Sequence, residues 1–394
     1  MPPTGHEPII GLPDFKIISY RGCKTIEIAA EYTGARECPH CSGTRLRKKD
    51  SFLRTFKHHS VGINKSVLIM KTFKFHCRDC GRYFNQRFNG INPYQRVTEL
   101  FKEQVGLRHH HGTNKRVTAS DLGLGEATVE RYYHRYLSLA ASETKNASCP
   151  KILGIDEKHF TKKKGYMTTL ANLKSHKIFD VTLGRSEDSL KDYMLRIPDR
   201  ANCRVILMDL SNTFRNIAHK YFKNALIVAD RFHVVRLINQ HFLKTWSTLD
   251  SEGRKSRGLI SMMRRHEWSK FNPKSKQRLI KYLDENPAIK AIYEFKQELM
   301  KLILSRVSSR KQAEPLVERF LETIKSLQES PFVPMATLGN TLFEWQKEIV
   351  RMWRFSKTNS ITEGLHRRID EILNRAYGMR NFNNFRIRVK AYCG

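Results

Sequence analysis

The sequence predicts a multidomain α/β protein in which a strand-and-helix core follows two smaller modules and is interrupted by an all-helical stretch. Three observations predict it. The 394 residues exceed one average core, since domains run to about 150 residues. From Lys151 onward, apolar strand-like runs alternate with helical ones, the mark of an α/β core. Ahead of that core lie two Cys-x-x-Cys units and then a segment of helical periodicity.

The first module begins with residues 12–34, where apolar and polar residues alternate around Phe15, Ile17, Ile18, Tyr20, Ile26, Ile28 and Ala30. A period of two means short strands. Cys38-Pro39-His40-Cys41 and Cys77-Arg78-Asp79-Cys80 each set two thiols on a tight turn, with Gly43 and Gly81 close behind. Four such thiolates suit tetrahedral zinc. The 35 residues between the pairs require strands such as VLIMKTFKFH to fold the second turn back onto the first, as in a zinc ribbon. His40 and His76 are alternative ligands, but the matched spacing favours Cys38, Cys41, Cys77 and Cys80. Cys23, Cys149, Cys203 and Cys393 stand apart and read as structural. Residues 1–92 are accordingly assigned to a zinc-binding domain.

Periodicity turns helical between Thr98 and Ala141. RVTASDLGLGEATVERYYHRYLSLA reads as a short helix, a turn at Gly123 to Gly125, and a second helix that buries Val129, Tyr133 and Leu137. That is a helix-turn-helix within residues 93–145. Glu126, Thr128, Arg131, Tyr132 and Arg135 then lie on the outer face, the arginines within reach of phosphate or guanine edges. A plain helical hairpin joining two domains is the competing reading. His109-His110-His111 reads as a solvated loop, and the polar stretch from Ser142 to Pro150 as a linker.

In the core, KILGIDE, GYMTTLANL, HKIFDVTLG, RVILMDLS and ALIVAD read as strands, with helices from Ser186 and near Phe214 to Phe222. Ser186 suits an N-cap, and Glu187 and Asp188 favour the first turn of the helix dipole. Residues 240–355 are rich in Leu, Lys, Arg and Glu with helical spacing and form an all-helical insertion. Beyond them Ile361, Leu365, Ile369 and Leu373 recur every four residues and stop at Gly378, as in an amphipathic helix.

Lys plus Arg number 71 against 38 Asp plus Glu, a formal charge of +33. Folding does not require such an excess, whereas binding to phosphates releases condensed counterions and makes DNA or RNA the favoured partner. The basic residues are spread along the chain and not gathered on one amphipathic helix, which argues against a membrane surface. No stretch approaches the roughly 20 apolar residues of a membrane span. Met1-Pro2-Pro3-Thr4-Gly5 lacks the pattern of a secretory signal, so a cytoplasmic protein with reduced thiols is expected.

Three acids carry the chemistry. Asp156 closes the strand ILGID, Asp209 closes VILMD, and Glu363 opens the late helix in NSITEG. Hard carboxylate oxygens that converge can hold two Mg²⁺ ions for phosphodiester chemistry. Singly, each acid also has a bland reading, and Glu363 could pair with Arg367 at i+4. Glu157 points away from Asp156 if the strand continues, and sequence does not say which faces a cleft. Asp230 and His233, three apart after ALIVAD, share a helix face; Asp230 as a simple helix cap is the alternative.

Taken together, CPHC with CRDC, DLGLGEATVERYY, GIDEKHF, MDLSNTFR, VADRFHVVRLIN and TNSITEGLHRRIDEILNRAYGMRNFNNFRIRV resemble the insertion-sequence transposases of the ISL-three type over nearly the whole chain. The resemblance implies a ribonuclease-H-like catalytic domain, 151–239 with 356–394, in which Asp156, Asp209 and Glu363 are the DDE acids. It further implies that Asp230 and His233 act beside them. Catalytic Mg²⁺ or Mn²⁺ and structural Zn²⁺ are the implied metals. The implied partners are double-stranded DNA, as element ends and target, and further copies of the chain in a homodimer or higher oligomer on DNA. The protein would be cytoplasmic and nucleoid-associated. The implied reaction is hydrolysis at an element end and attack of the freed 3′-OH on another strand. A DNA-binding regulator with an inactive nuclease-like domain is the alternative.

Overall fold

The computed structural model describes residues 10–12, 14–112, 114–142, 147–266, 271–355, 360–375 and 381–394. The expected helix stop at Gly378 lies outside them, as does part of the linker after Ser142. The chain divides into two compact units, Met1–Ser142 with Arg375–Tyr377, and Glu143–Asn374 with Gly378–Gly394.

In the first unit, β1 (Phe15–Arg21), β2 (Thr25–Tyr32), β3 (Leu46–Val61), β4 (Asn64–Cys77) and β5 (Tyr83–Asn85) form one sheet of order β1-β2-β4-β3, with β5 against β4. The β3–β4 hairpin runs in antiparallel register from Val61 opposite Asn64 to Leu46 opposite Cys77. It turns at Gly62, whose φ of +60° suits a residue without Cβ. Side chains of β4 alternate between core and surface, and Leu68 and Met70 join Phe15, Ile28, Tyr32, Phe56 and Phe88 in an apolar cluster. Tyr32 and Phe56 meet Phe88 edge-on, the favoured aromatic arrangement.

Three helices follow. Thr98 caps α1 (Glu99–His110), its Oγ1 accepting from Phe101 N at 3.2 Å. Asn114 caps α2 (Lys115–Leu122), which ends on left-handed Gly123 at φ +60° before α3 (Glu126–Ala140) begins. Val129, Tyr133 and Leu137 are buried, as expected from their spacing. The histidine run is not a solvated loop. His109 and His110 finish α1, where positive or donor groups complement the helix dipole, and His110 is buried against Tyr133 and Tyr136.

The second unit is built on β6 (Ile152–Thr161), β7 (Gly165–Asn172), β8 (Lys177–Leu183), β9 (Val205–Met208) and β10 (Leu226–Ala229), in the order β10-β9-β6-β7-β8. The β6–β7–β8 part is antiparallel, while β9 and β10 run parallel to β6. Between strands lie α4 (Glu187–Arg196), capped by Ser186 Oγ as expected, and α5 (Asn212–Tyr221). They cover one face, where Leu190, Met194, Phe214 and Ile217 pack on Leu153, Ile155, Ile206 and Met208.

The helical stretch comprises α6 (Arg231–Leu249), α7 (Arg257–Arg264), α8 (Pro273–Glu285), α9 (Pro287–Leu304), α10 (Arg310–Gln328), α11 (Val333–Glu344) and α12 (Gln346–Met352). Its first part has a core of its own around Phe242, Trp246, Met263, Leu279 and Tyr293. Its second part does not: Leu299, Phe320, Leu342 and Trp353 share one cluster with Leu207 and Val228 on the other face of the sheet. The same cluster takes in α13 (Ser360–Arg375) and α14 (Phe382–Cys393) through Leu365, Ile369, Phe385 and Val389.

Candidate active site

Register places three acids in a row. Ile155 of β6 lies beside Met208 of β9, and Met208 beside Ala229 of β10. The next residue on each of these three neighbouring parallel strands is Asp156, Asp209 and Asp230. Neighbouring strands are about 4.8 Å apart, and side chains alternate between faces, so the three carboxylates leave on the face of Leu207 and Val228.

Helix α13 lies along β6 on the same face. A Cβ on Gly154 would stand 3.1 Å from Thr362 Oγ1; His366 Nδ1 is 3.7 Å from Asp156 Oδ2; Lys158 Nζ is 2.8 Å from Asp370 Oδ1. The strand advances by two residues, about 6.7 Å, each time the helix advances by four, about 6 Å. That matched step fixes Glu363 one residue beyond Thr362, close enough that its charge acts on Asp156. Among the described residues no ion pair joins Glu363 to Arg367. His366, which sequence reasoning did not single out as a site residue, also reaches Thr169 Oγ1 at 3.1 Å. Its separation of three from Glu363, on one helix face, was the available signal.

Asp209, Asp230 and His233 each offer an atom within 4.8 Å of the others, a grouping that could hold a metal ion. Asp156 stands outside that grouping but is coupled by charge to Asp209 and Asp230, and Glu363 is coupled to Asp156. Asp230 is fully buried and does two things at once: it accepts from Phe232 N at 3.4 Å as the cap of α6, and its Oδ2 lies 3.7 Å from His233 Nε2. His233 Nε2 lies 3.0 Å from Asp209 Oδ1, yet that buried oxygen accepts no hydrogen bond.

Burial pushes the Asp156 carboxyl up to about 7, reinforced by the charges of Asp230, Glu157 and Glu363 and opposed by the Glu157 backbone N–H. Burial also pushes Asp209 up to about 8, with Asp156, Asp230 and Glu157 adding and Arg236 opposing. His233 falls to about 4 through burial and the nearby Arg236, and His366 to about 4 through burial and Lys158. Both imidazoles are therefore neutral at pH 7, the form that ligates metals. Crowded carboxylates with raised pKa values, a buried Asp209 oxygen that accepts no hydrogen bond and a neutral imidazole together make a donor set suited to a divalent cation. Glu157, left open by sequence, sits on the rim of a cavity of about 560 Å³ that it shares with Arg185, Asp209, His233 and Arg236.

In the first unit the four cysteines of the two pairs meet. Cys38 Sγ is 3.6 Å from Cys80 Sγ, and Cys41 Sγ is 3.6 Å from Cys77 Sγ. These are far beyond a disulfide bond and close to the roughly 3.8 Å edge of a tetrahedron with 2.3 Å zinc–sulfur bonds. Each turn closes with a left-handed residue four positions after its first cysteine, Ser42 at φ +58° and Gly81 at φ +71°. Gly43 serves differently, since a Cβ there would strike Asp79 Oδ2 at 2.2 Å. His40 contacts Arg82 at 3.3 Å and His76 packs on Tyr83, so neither takes a cysteine's place.

On α3, Thr128 and Arg131 sit together, Arg131 donating to Thr128 Oγ1 at 3.2 Å. Arg135 is paired with Glu99 at 2.5 Å, and Tyr132 is half-buried beside Lys102. Glu126, Arg131 and Arg135 of the expected DNA-reading face are exposed, and Thr128, like Tyr132, is half-buried.

Comparison with known proteins identifies the family. The model of the ISL3 transposase DDE domain, described as a transposase, matches residues 153–389, more than half of the chain. The helix-turn-helix domain of transposase family ISL3 matches residues 86–137. A transposase for insertion sequence element IS1001 from Bordetella parapertussis is 21% identical over 364 residues, covering 90% of this chain and 88% of that protein. A DDE domain that contains the row of acids and a helix-turn-helix that contains α2 and most of α3 thus identify the chain as a member of the ISL3 family of transposases, an enzyme with a DNA-binding module.

Proposed function

We propose that this transposase binds the terminal inverted repeats of its insertion sequence, cuts at their ends and joins the freed 3′-OH to another strand, using Asp156, Asp209 and Glu363 with Asp230 and His233. The observation that carries this reading is the alignment of Asp156, Asp209 and Asp230 across three adjacent strands, with α13 bringing Glu363 to Asp156. The mixed sheet with helices on both faces supports a ribonuclease-H-like core.

Asp156, Asp209 and Glu363 would hold Mg²⁺ or Mn²⁺, with Asp230 and His233 beside them. When bound, divalent ions supply Lewis-acid polarisation of the phosphate and a lowered pKa for water. The chain's own groups do the rest. Arg185 and Arg236, which line the cavity with Asp209, attract the phosphate backbone and fix the strand for in-line attack. His366, hydrogen-bonded to Thr169, lies beside Asp156 from α13 and confines it. Buried Asp230 fixes the start of α6 and so the direction of His233.

The first unit supplies end recognition, with zinc at Cys38, Cys41, Cys77 and Cys80 stabilising the base of the β3–β4 hairpin and Thr128, Arg131, Tyr132 and Arg135 presented to DNA. Assembly as a homodimer or higher oligomer on DNA, in the nucleoid, belongs to the same reading. Inverted repeats flanking the reading frame would supply the substrate. The test is cleavage of that end-containing duplex with Mg²⁺ or Mn²⁺. Asp156→Ala is expected to reduce it at least about 10³-fold, the loss of ~4 kcal/mol of transition-state stabilisation, while duplex binding persists. Binding with no cleavage by the unaltered chain in either metal would leave only a DNA-binding regulator.

A further inference from the structure

Helix α6 begins at the acid cluster, and its first turn sends four side chains in four directions. Arg231 turns inward and donates to Leu304 O at 3.4 Å and to Met352 O at 3.0 Å. His233 faces Asp209, and Val234 is fully buried in the apolar core. Phe232 is left on the surface, 48% exposed, with its ring 5.4 Å from that of His233. An aromatic ring so displayed beside a catalytic cluster forgoes the burial that usually stabilises it.

The exposed stripe of α6 continues from Phe232 through Arg236, Gln240 and Lys244, at intervals of one helical turn. Phe232, Arg236, Gln240 and Lys244 line a cavity of about 750 Å³ together with Arg254 and Arg264, and no described residue in its lining is acidic. Arg236 and Gln240 also line the cavity that holds Asp209 and His233. The two cavities therefore adjoin at these residues: the first sets Glu157 and Asp209 beside Arg185 and Arg236, and the second is basic and suited to phosphates.

We propose that this basic groove along α6 takes an unpaired DNA strand next to the cutting site, with Phe232 stacking on an unstacked base. The proposal rests on the transposase reading above and adds where a strand goes and in what form. Charge selects a polyanion: four cations and no acid match a backbone of phosphates. The ring selects a single strand, because base faces are open to an aromatic side chain only where stacking is broken, whereas a duplex presents phosphates and groove edges. Arg236, shared by both cavities, marks the phosphate that lies between the stacked base and the acids.

The test compares binding of the full-length chain to two labelled DNAs of the same sequence, a blunt duplex and a fork with an unpaired arm, by fluorescence anisotropy in Ca²⁺. The unaltered protein is expected to prefer the fork about tenfold, the effect of one stacked base. Phe232→Ala should bring that preference to within about twofold with blunt-duplex binding unchanged, and Phe232→Trp should keep it. A 2-aminopurine in the unpaired arm should be quenched by the unaltered protein and by Phe232→Trp but not by Phe232→Ala. No fork preference, a preference that survives Phe232→Ala, or an equal loss on both DNAs would overturn the proposal. So would concentration-dependent self-association abolished by Phe232→Ala with the fork preference intact, which would mark the patch as a contact between copies of the chain. Because binding is read without cutting, absence of cleavage in a parallel Mg²⁺ assay would count against the transposase chemistry and not against the groove.

Discussion

At the scale of single residues, the site is a set of charges that oppose one another. Asp156 and Asp209 have folded pKa values of about 7 and about 8, above the usual carboxylate range near 4. A raised folded value means that the native state holds protons the unfolded chain has released. Without divalent ions, stability should therefore fall as pH rises from about 4 to 8, and Mg²⁺ should restore it at the upper end. Thermal melts of the second unit's transition at several pH values, with and without Mg²⁺, check this. A melting point that rises over the same interval would contradict it. Asp209→Asn removes one of the repelling charges, so at pH 8 without metal it should melt higher than the unaltered protein while cleaving at least about 10³-fold more slowly. A gain in stability paired with loss of activity distinguishes a ligand from a residue that merely supports the fold.

At the scale of elements, the site depends on one helix lying flush on one strand. Gly154→Val puts side-chain atoms where Thr362 Oγ1 and Leu173 already stand, 3.1 Å and 3.0 Å from the Cβ position. Overpacking of this kind costs about 1–3 kcal/mol, and it should displace α13 and with it Glu363. Cleavage should drop by at least tenfold with DNA binding unchanged; full activity in this variant would show that α13 docks otherwise. Much of this level was legible in the chain. Ser186, Asp230 and the spacing of Val129, Tyr133 and Leu137 announce helix starts and buried faces because capping and periodicity are local effects. Four features were not. Residues 46–53, the first half of β3, are largely exposed and half of them charged, so they lack the apolar alternation that marks a strand and are held in place by β4. His110 looks polar in sequence, and only the arrival of α3 supplies the rings that bury it. The acids could be found one by one at strand ends, but their alignment is a matter of register between β6, β9 and β10, which is set by pairing over long separations. For the same reason the helices from α10 to α12 read simply as helical, with no sign that their apolar faces close over the sheet.

At the scale of the whole molecule, a formal charge of +33 is joined to two side-chain groupings of opposite kind that could hold a metal ion. Thiolates in the first unit suit zinc as a structural ion, and carboxylates in the second suit a harder, exchangeable one. Chelation of zinc, or Cys38→Ser, should abolish end-specific binding and remove the first unit's melting transition while leaving that of the second; simultaneous loss of both would contradict modular folding. Binding should weaken steeply with salt, and Arg131→Ala should lower the slope of log K against log[salt] by about one for a lost phosphate contact. An unchanged slope would place Arg131 off the DNA. The proposed strand chemistry follows only if the carboxylates of the second unit take up a divalent cation. The most direct measurement is anomalous scattering from crystals of the full chain grown with Mn²⁺. The account predicts a manganese peak bounded by Asp156, Asp209 and Glu363 that disappears in Asp209→Asn; manganese found only at surface acids, with these three side chains bare, would contradict it.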